Sequence, residues 1–184
     1  MYTFATCAPE RRSAQTAMYQ VVATLAKLLA PVMPFTAEEV WTALPGAPTE
    51  SVHLAAFPKV GQRDVELEAR WAKLLDVRRL VALELEKARQ VGTIGKSLEA
   101  QIEIQPDSAA TQELLTGLGA LLEPVLIVSR VTIGQLTGDA LRVTVATAAG
   151  QKCIRCWRWT MDVGTNTAHR ELCGRCAEVV TQRI

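Results

Sequence analysis

Cys153-Ile154-Arg155-Cys156-Trp157-Arg158-Trp159 and, further on, Cys173-Gly174-Arg175-Cys176 decide how the end of this chain folds. Sixteen residues separate Cys156 from Cys173, a spacing that fits a four-cysteine metal site. Two residues between cysteines let a tight turn aim both thiolates at one point, and Gly174 offers the backbone freedom such a turn uses. Four soft thiolates around a tetrahedral ion suit Zn²⁺, and a site closed by four protein ligands leaves no position for a reactive water. One structural zinc held by Cys153, Cys156, Cys173 and Cys176 is therefore expected. A redox dithiol needs only one such pair on a βαβ scaffold, and disulfides suit an oxidising compartment. His169 is a further imidazole nearby, but four thiolates already fill the site. Cys7 has no partner in the sequence and reads as a buried or idle thiol.

A segment of about 35 residues has too little core to fold alone, so metal binding should supply roughly 10 kcal/mol or more of its folding free energy. Arg155, Trp157, Arg158, Trp159, Arg170 and Arg175 crowd beside the ligands. From Gly150 to Ile184 the basic residues Lys152, Arg155, Arg158, Arg170, Arg175 and Arg183 face three acids, a local charge of +3. Guanidinium groups neutralise phosphate and indole faces stack on unpaired bases, so this composition points to single-stranded nucleic acid. One of Trp157 and Trp159 is expected to fill the small core over the metal, leaving the other for a base. Taken singly, such arginines are ordinary solvated surface.

Upstream of the cysteines the pattern is helical. Apolar residues at Ala14, Ala17, Met18, Val21, Val22, Leu25, Leu28 and Leu29 form one stripe of a helix ending near Ala30-Pro31. A second, short helix is predicted to begin at Thr36, with Glu39 as its capping-box partner and Phe35 stapled to Val40, carrying Val40, Trp41 and Leu44 inward. Pro45-Gly46 stops it and opens a loop through Pro48 to about Gly61. A third helix spans Asp64 to Val91 on Leu67, Trp71, Leu74, Val77, Val81, Leu85 and Ala88. Three amphipathic helices with complementary stripes predict a bundle. Beyond Gly92 the pattern changes to alternating Leu98, Ala100, Ile102 and Ile104, a helix from Thr111 to Leu122, and β-rich stretches at 130–136 and 140–146. The expected chain is thus mainly α: a helical domain over residues 1–91, a small α/β junction module over 92–149, and a four-cysteine zinc knuckle or ribbon over 150–184.

The 184 residues carry 20 basic and 19 acidic side chains, a net charge of +1, so any nucleic-acid surface is a local patch. No apolar run approaches the roughly 18 to 20 residues of a membrane span, and no secretory signal is evident at Met1 to Pro9; a soluble cytoplasmic monomer is the expectation. Gly92-Thr93-Ile94-Gly95-Lys96-Ser97 imitates a phosphate loop, but Gln90 stands where the first glycine belongs and a charged helix precedes it. It reads as a helix-stop turn with Lys96 near a phosphate backbone. His53 has no carboxylate or nucleophile at a recognisable spacing, and nothing in the chain assembles a catalytic constellation.

The run Leu29-Ala30-Pro31-Val32-Met33-Pro34-Phe35-Thr36-Ala37-Glu38-Glu39-Val40-Trp41 resembles the C-terminal portion of the bacterial isoleucyl-tRNA synthetases, which are class I enzymes. So do Ser51-Val52-His53-Leu54 with Phe57-Pro58, Glu86-Lys87-Ala88-Arg89, Ile94-Gly95-Lys96-Ser97-Leu98-Glu99, and the Cys-x-Arg-Cys-Trp and Cys-Gly-Arg-Cys end. The resemblance implies an anticodon-binding helical domain, a junction module and a zinc-binding peptide that grip the anticodon stem-loop of isoleucine tRNA. It makes Trp157 the residue touching an anticodon nucleotide, with Arg155, Arg158 and Arg175 steering the backbone. Neither a His-Ile-Gly-His nor a Lys-Met-Ser-Lys-Ser signature is present, so ATP and aminoacylation belong to the catalytic part of a parent enzyme. The expectation is a fragment working with the remainder of the synthetase, or a free-standing paralogue. The alternatives are a free zinc-ribbon adaptor for RNA or protein, and a thiol redox protein.

Overall fold

A computed structural model describes residues 2–47 and 49–182; Met1, Pro48 of the predicted loop, Arg183 of the basic set and Ile184 lie outside the described residues. Two compact units divide the chain, Met1–Arg63 and Asp64–Ile184.

The first unit holds α1 (Pro9–Leu29) and α2 (Pro34–Ala43), followed by a 3-10 turn over Val52–Leu54. Its core is Ala26, Ala30, Ala37, Trp41 and Val52, with Val40 and Leu44 packed against it. Small side chains let helices approach closely, and the predicted stripe differs for that reason: Met18, Val21, Leu25, Leu28 and Leu29 are exposed while Ala26 and Ala30 are buried. Trp41 supplies the bulk, its side chain closed off at 1% exposure and its Nε1 donating to the Thr49 carbonyl at 3.0 Å. Glu38 accepts from Ser51 Oγ at 2.9 Å and from the Val52 amide at 3.0 Å, which pins the His53 turn to α2.

The start of α2 corrects the sequence expectation. The helix begins at Pro34, with Met33 as N-cap and no side-chain cap, and Phe35 is 85% exposed, so neither the Thr36 cap nor the Phe35 staple forms. Pro34 has φ fixed for a first helical position and needs no amide there, which moves the start two residues ahead of the threonine. Cys7 is exposed, correcting the reading of a buried thiol.

The second unit opens with α3 (Val65–Gln90), capped by Asp64, whose carboxylate accepts the Leu67 amide at 2.9 Å. Strand β1 (Ala100–Gln105) follows, then α4 (Ala109–Leu118), α5 (Leu122–Leu126), β2 (Arg130–Ile133) and β3 (Arg142–Thr147). The sheet has the order β2-β1-β3, with β1 parallel to β2 and antiparallel to β3. Ala100, Ile102 and Ile104 send alternate side chains into the core, as the period-two pattern requires. They meet Leu74, Val77, Val81, Leu85 and Ala88 of α3, together with Leu115, Leu122, Leu126 and Val128. The long helix therefore buries its stripe in the core of the sheet module, while Leu67 and Trp71, at its start, remain exposed. Residues Ser97–Glu99 form a 3-10 turn, so the strand begins later than the alternation suggests.

The terminal element is a hairpin, β4 (Gln151–Lys152) against β5 (Trp159–Thr160), followed by α6 (Gly174–Thr181). Gly150 has φ +97°, and a Cβ there would lie 2.3 Å from the Thr160 carbonyl oxygen, so only glycine lets the hairpin close.

Candidate metal centre and nucleic-acid face

The first cysteine pair sits in the hairpin's loop. Its turn is fixed by the backbone: the Trp157 amide donates to the Cys153 carbonyl at 2.8 Å, and the Cys153 amide to that of Arg158 at 2.9 Å. The second pair opens α6, with Cys173 as N-cap and Cys176 in the first turn, where the helix N-terminus favours thiolate. The Gly174 amide donates to Asp162 at 2.8 Å, and a Cβ on Gly174 would lie 2.9 Å from that carboxylate. Gly174 is thus required by the close approach of Asp162, and its φ is not in the left-handed region. Asp162 is held below the usual carboxylate range by the Thr160 hydroxyl first, and then by the Gly174 amide.

These two turns bring the four sulfurs together, every pair within 4.8 Å. Cys156 Sγ and Cys173 Sγ are 3.8 Å apart. A tetrahedral ion with Zn–S bonds near 2.3 Å has S···S edges of about 3.8 Å, so the donor set fits zinc in both number and spacing. Cys153, Cys173 and Cys176 are buried and share their core with Val163, Leu172 and Ala177. Among the described residues, His169 is not in this cluster. The thiols differ in acidity. Burial pushes the Cys153 thiol pKa up, but backbone amides, those of Cys156 and Cys173 foremost, outweigh it and bring the value down to about 6. Burial pushes Cys173 up to about 12, with the neighbouring cysteine sulfurs adding to it. All four are free cysteines.

Four thiolates and one Zn²⁺ leave a formal charge of −2 on the centre, which a partly buried site must offset. Arg155 Nη1 lies 3.6 Å and Arg175 Nη2 3.9 Å from Cys176 Sγ. Two of the arginines read as nucleic-acid contacts therefore face the sulfurs, and both are half-buried. Arg158 is turned elsewhere, its Nη2 paired with Glu123 and donating to the Ser129 carbonyl at 2.7 Å.

Neither tryptophan belongs to the core over the four sulfurs, which corrects the expectation that one of them fills it: Trp159 lies beside Ser129 and Gln101 instead. Trp159 is half-buried, whereas Trp157 is 62% exposed. Trp157 also takes φ +65°, one of two non-glycine residues in the left-handed region among the described residues. That conformation is unfavourable for a bulky side chain and is imposed by the knuckle turn. Lys152 Nζ stands 6.0 Å from the Trp157 ring centroid, a contact that no sequence motif announced. Lys96 is exposed at the head of the Ser97–Glu99 turn, where Glu99 accepts the amides of Gly95 and Lys96 at 2.7 and 3.2 Å. Those amides hold the Glu99 carboxyl below its usual range, Gly95 first, with the Lys96 and Lys152 charges adding to them. The Ala148 amide donates to the Glu99 carbonyl at 2.7 Å, so the Lys96 loop is stitched to the strand end that leads into the zinc element.

Comparison with known proteins agrees with this geometry. Residues 2–104 match the anticodon-binding domain of tRNA ligase, more than half of the chain. The chain belongs to that anticodon-binding family. Residues 150–179 match the zinc finger found in FPG and IleRS, and with the four-sulfur cluster this makes the terminal element a structural zinc site. The chain is 45% identical to the isoleucine–tRNA ligase of Brachyspira hyodysenteriae over 92% of its own length and 19% of the relative. It is 42% identical to that of Moorella thermoacetica, covering 99% of the chain and 21% of the relative. The Geobacter sulfurreducens enzyme is 40% identical over 97% of the chain and 20% of the relative. The resemblance to isoleucyl-tRNA synthetases read from the sequence thus extends along nearly the whole chain, which spans about a fifth of the length of these relatives. No helix of the described residues is long and apolar enough to cross a membrane.

Proposed function

We propose that this chain is the tRNA-recognition portion of an isoleucine–tRNA ligase, binding the anticodon stem-loop of isoleucine tRNA. ATP-dependent aminoacylation is then the work of the catalytic part of the parent enzyme, in the cytoplasm, and the chain itself acts as a monomer alongside it. The functional division follows the predicted ranges: 1–91 for the helical anticodon-binding part, 92–149 for the junction, 150–184 for the zinc element. The observation that carries the reading is Trp157, an indole left 62% exposed in a left-handed backbone on a knuckle built by four cysteines. An apolar ring held in water at a conformational cost is explained by a ligand with a flat face, and an unpaired base is such a ligand.

The proposed chemistry is recognition without reaction. Trp157 stacks on an anticodon base with one face of its ring, while the Lys152 ammonium lies over the ring. Lys96 and Lys152 approach phosphate oxygens. Arg155 and Arg175 act from beside Cys176, adding positive potential to the knuckle while offsetting the thiolates. The zinc, held by Cys153, Cys156, Cys173 and Cys176, supplies the fold of the knuckle and no step of chemistry. Phosphate contacts set affinity and stacked bases set identity. Titration with isolated isoleucine anticodon stem-loops at two salt concentrations tests this. Binding should weaken with salt along a slope of about −0.7 per single-stranded phosphate contacted. Absence of binding, with a protein partner captured in its place, favours the adaptor reading.

A further inference from the structure

Ser129 is the buried polar side chain of the described core, 3% exposed, and it stands where the sheet module meets the zinc element. The chain reaches it through a sharp reversal: α5 ends at Leu126, Ile127 takes φ +58°, and Val128 turns into the core. Ser129 is then tied to the start of the central strand β1, its amide donating to the Ala100 carbonyl at 3.0 Å and its hydroxyl to that of Leu98 just before it. From the zinc element, two consecutive residues converge on it. The Trp159 amide donates to Ser129 Oγ at 2.8 Å, and Arg158 Nη2 donates to the Ser129 carbonyl at 2.7 Å. The same Nη2 pairs with the carboxylate of Glu123 at the start of α5.

We propose that Glu123, Ser129 and Arg158 form a latch that fixes the zinc element against the sheet, and that Arg158 serves RNA recognition through this latch without touching phosphate. Its RNA half rests on the function proposed above. Covalently, the zinc element hangs on Ala148-Ala149-Gly150, whose Ala148 amide is tied to the Glu99 carbonyl. A cavity of about 210 Å³ lies at the seam, lined by Gln101, Ser129, Arg158, Trp159 and Thr160 among others. Arg158 Nε and Trp159 Nε1 are buried with no hydrogen-bond partner among the described residues. A seam with an open cleft and unpaired donors draws its orientation from a few polar bonds. Removing one partner of a part-buried ion pair strands the other, so each member matters beyond its own charge. Arg158 is a positioning residue in this scheme; it aims Trp157, its sequence neighbour.

The test uses the zinc-loaded full chain with Glu123→Gln, Arg158→Gln, the double variant and Ser129→Ala. Zinc stoichiometry confirms that each variant is folded at the metal site. Two readouts are taken, exchange of the Trp159 amide without RNA, and salt titration of an isoleucine anticodon stem-loop. The latch predicts faster Trp159 exchange in every variant, and stem-loop binding weakened roughly threefold to tenfold by either glutamine substitution. It also predicts a double variant no worse than the singles and an unchanged salt slope. A direct phosphate contact predicts the opposite pattern: Arg158→Gln alone weakens binding, its slope falls by about 0.7 to 0.9, and Glu123→Gln binds as well or better because a negative charge has gone. That pattern, or Trp159 exchange left unchanged by both glutamine variants, overturns the latch. Failure of the unsubstituted chain to bind any stem-loop overturns the recognition reading itself, whatever the exchange data show.

Discussion

The sheet module and the zinc element sit in one compact unit but are held together by different physics. In the module, α3 and β1 bury an aliphatic core from Leu74 to Val128 around Ile102, Ile104 and Leu115. In the zinc element the equivalent position is occupied by sulfur: Cys153, Cys173 and Cys176 are its buried centre, with Val163, Leu172 and Ala177 as a thin apolar wall. The first core is paid for by removing hydrocarbon from water, and it exists whenever the chain is in water. The second exists only while four thiolates are deprotonated and bridged. A metal-built core can be much smaller, and a small core leaves its large side chains outside, which is how Trp157 comes to be exposed.

Metal removal should break the comparison most sharply. A strong chelator is expected to unfold residues near 150–182, a loss on the order of 10 kcal/mol, while the amides of α3 and β1 stay protected. Amide exchange read segment by segment checks this; protection retained in α6 after zinc is stripped contradicts it. Acidification should act in the same direction, because binding requires all four thiols deprotonated. Zinc release is therefore expected as pH falls, never as it rises from neutral.

The reciprocal substitution is Leu115→Ala. It removes a fully buried side chain of the module and should cost about 2 to 5 kcal/mol in denaturant unfolding of that region, with zinc stoichiometry unchanged. Loss of zinc in the same variant before the module unfolds would show the two cores to be one.

A smaller effect is expected from Asp162→Ala, which removes the acceptor of the Gly174 amide at the start of α6. About 1 kcal/mol of zinc-element stability should go, measured as weaker competition against a chelator, with no change in the module.

Much of this division was legible in the chain because it rests on local spacing. The paired Cys-x-x-Cys fixes which sulfurs meet, the apolar period of residues 74–88 fixes the buried face of α3, and Asp64 marks its start. The alternation from Ala100 to Ile104 fixes the face of β1. The missing parts depend on residues far apart in sequence. Whether α1 packs by its large residues or its alanines depends on how closely α2 approaches, and no pattern within α1 records that. Pro34 outweighed the capping signal at Thr36 because a fixed φ starts a helix without any side-chain bond. At the site, Lys152 meets Trp157 through the hairpin, and Arg158 finds Glu123 some 35 residues back. An arginine in a basic cluster looks the same in sequence whether it faces phosphate or a carboxylate.

The exposed indole on the metal-built knuckle is the point on which the account turns. Trp157→Ala in the zinc-loaded chain, titrated with cognate isoleucine and noncognate anticodon stem-loops, measures it directly. The account predicts that cognate binding falls by the stacking free energy of about 1 to 3 kcal/mol, that noncognate binding changes far less, and that the salt slope stays the same. Equal loss for both stem-loops, or no loss for either, contradicts a reading role for Trp157.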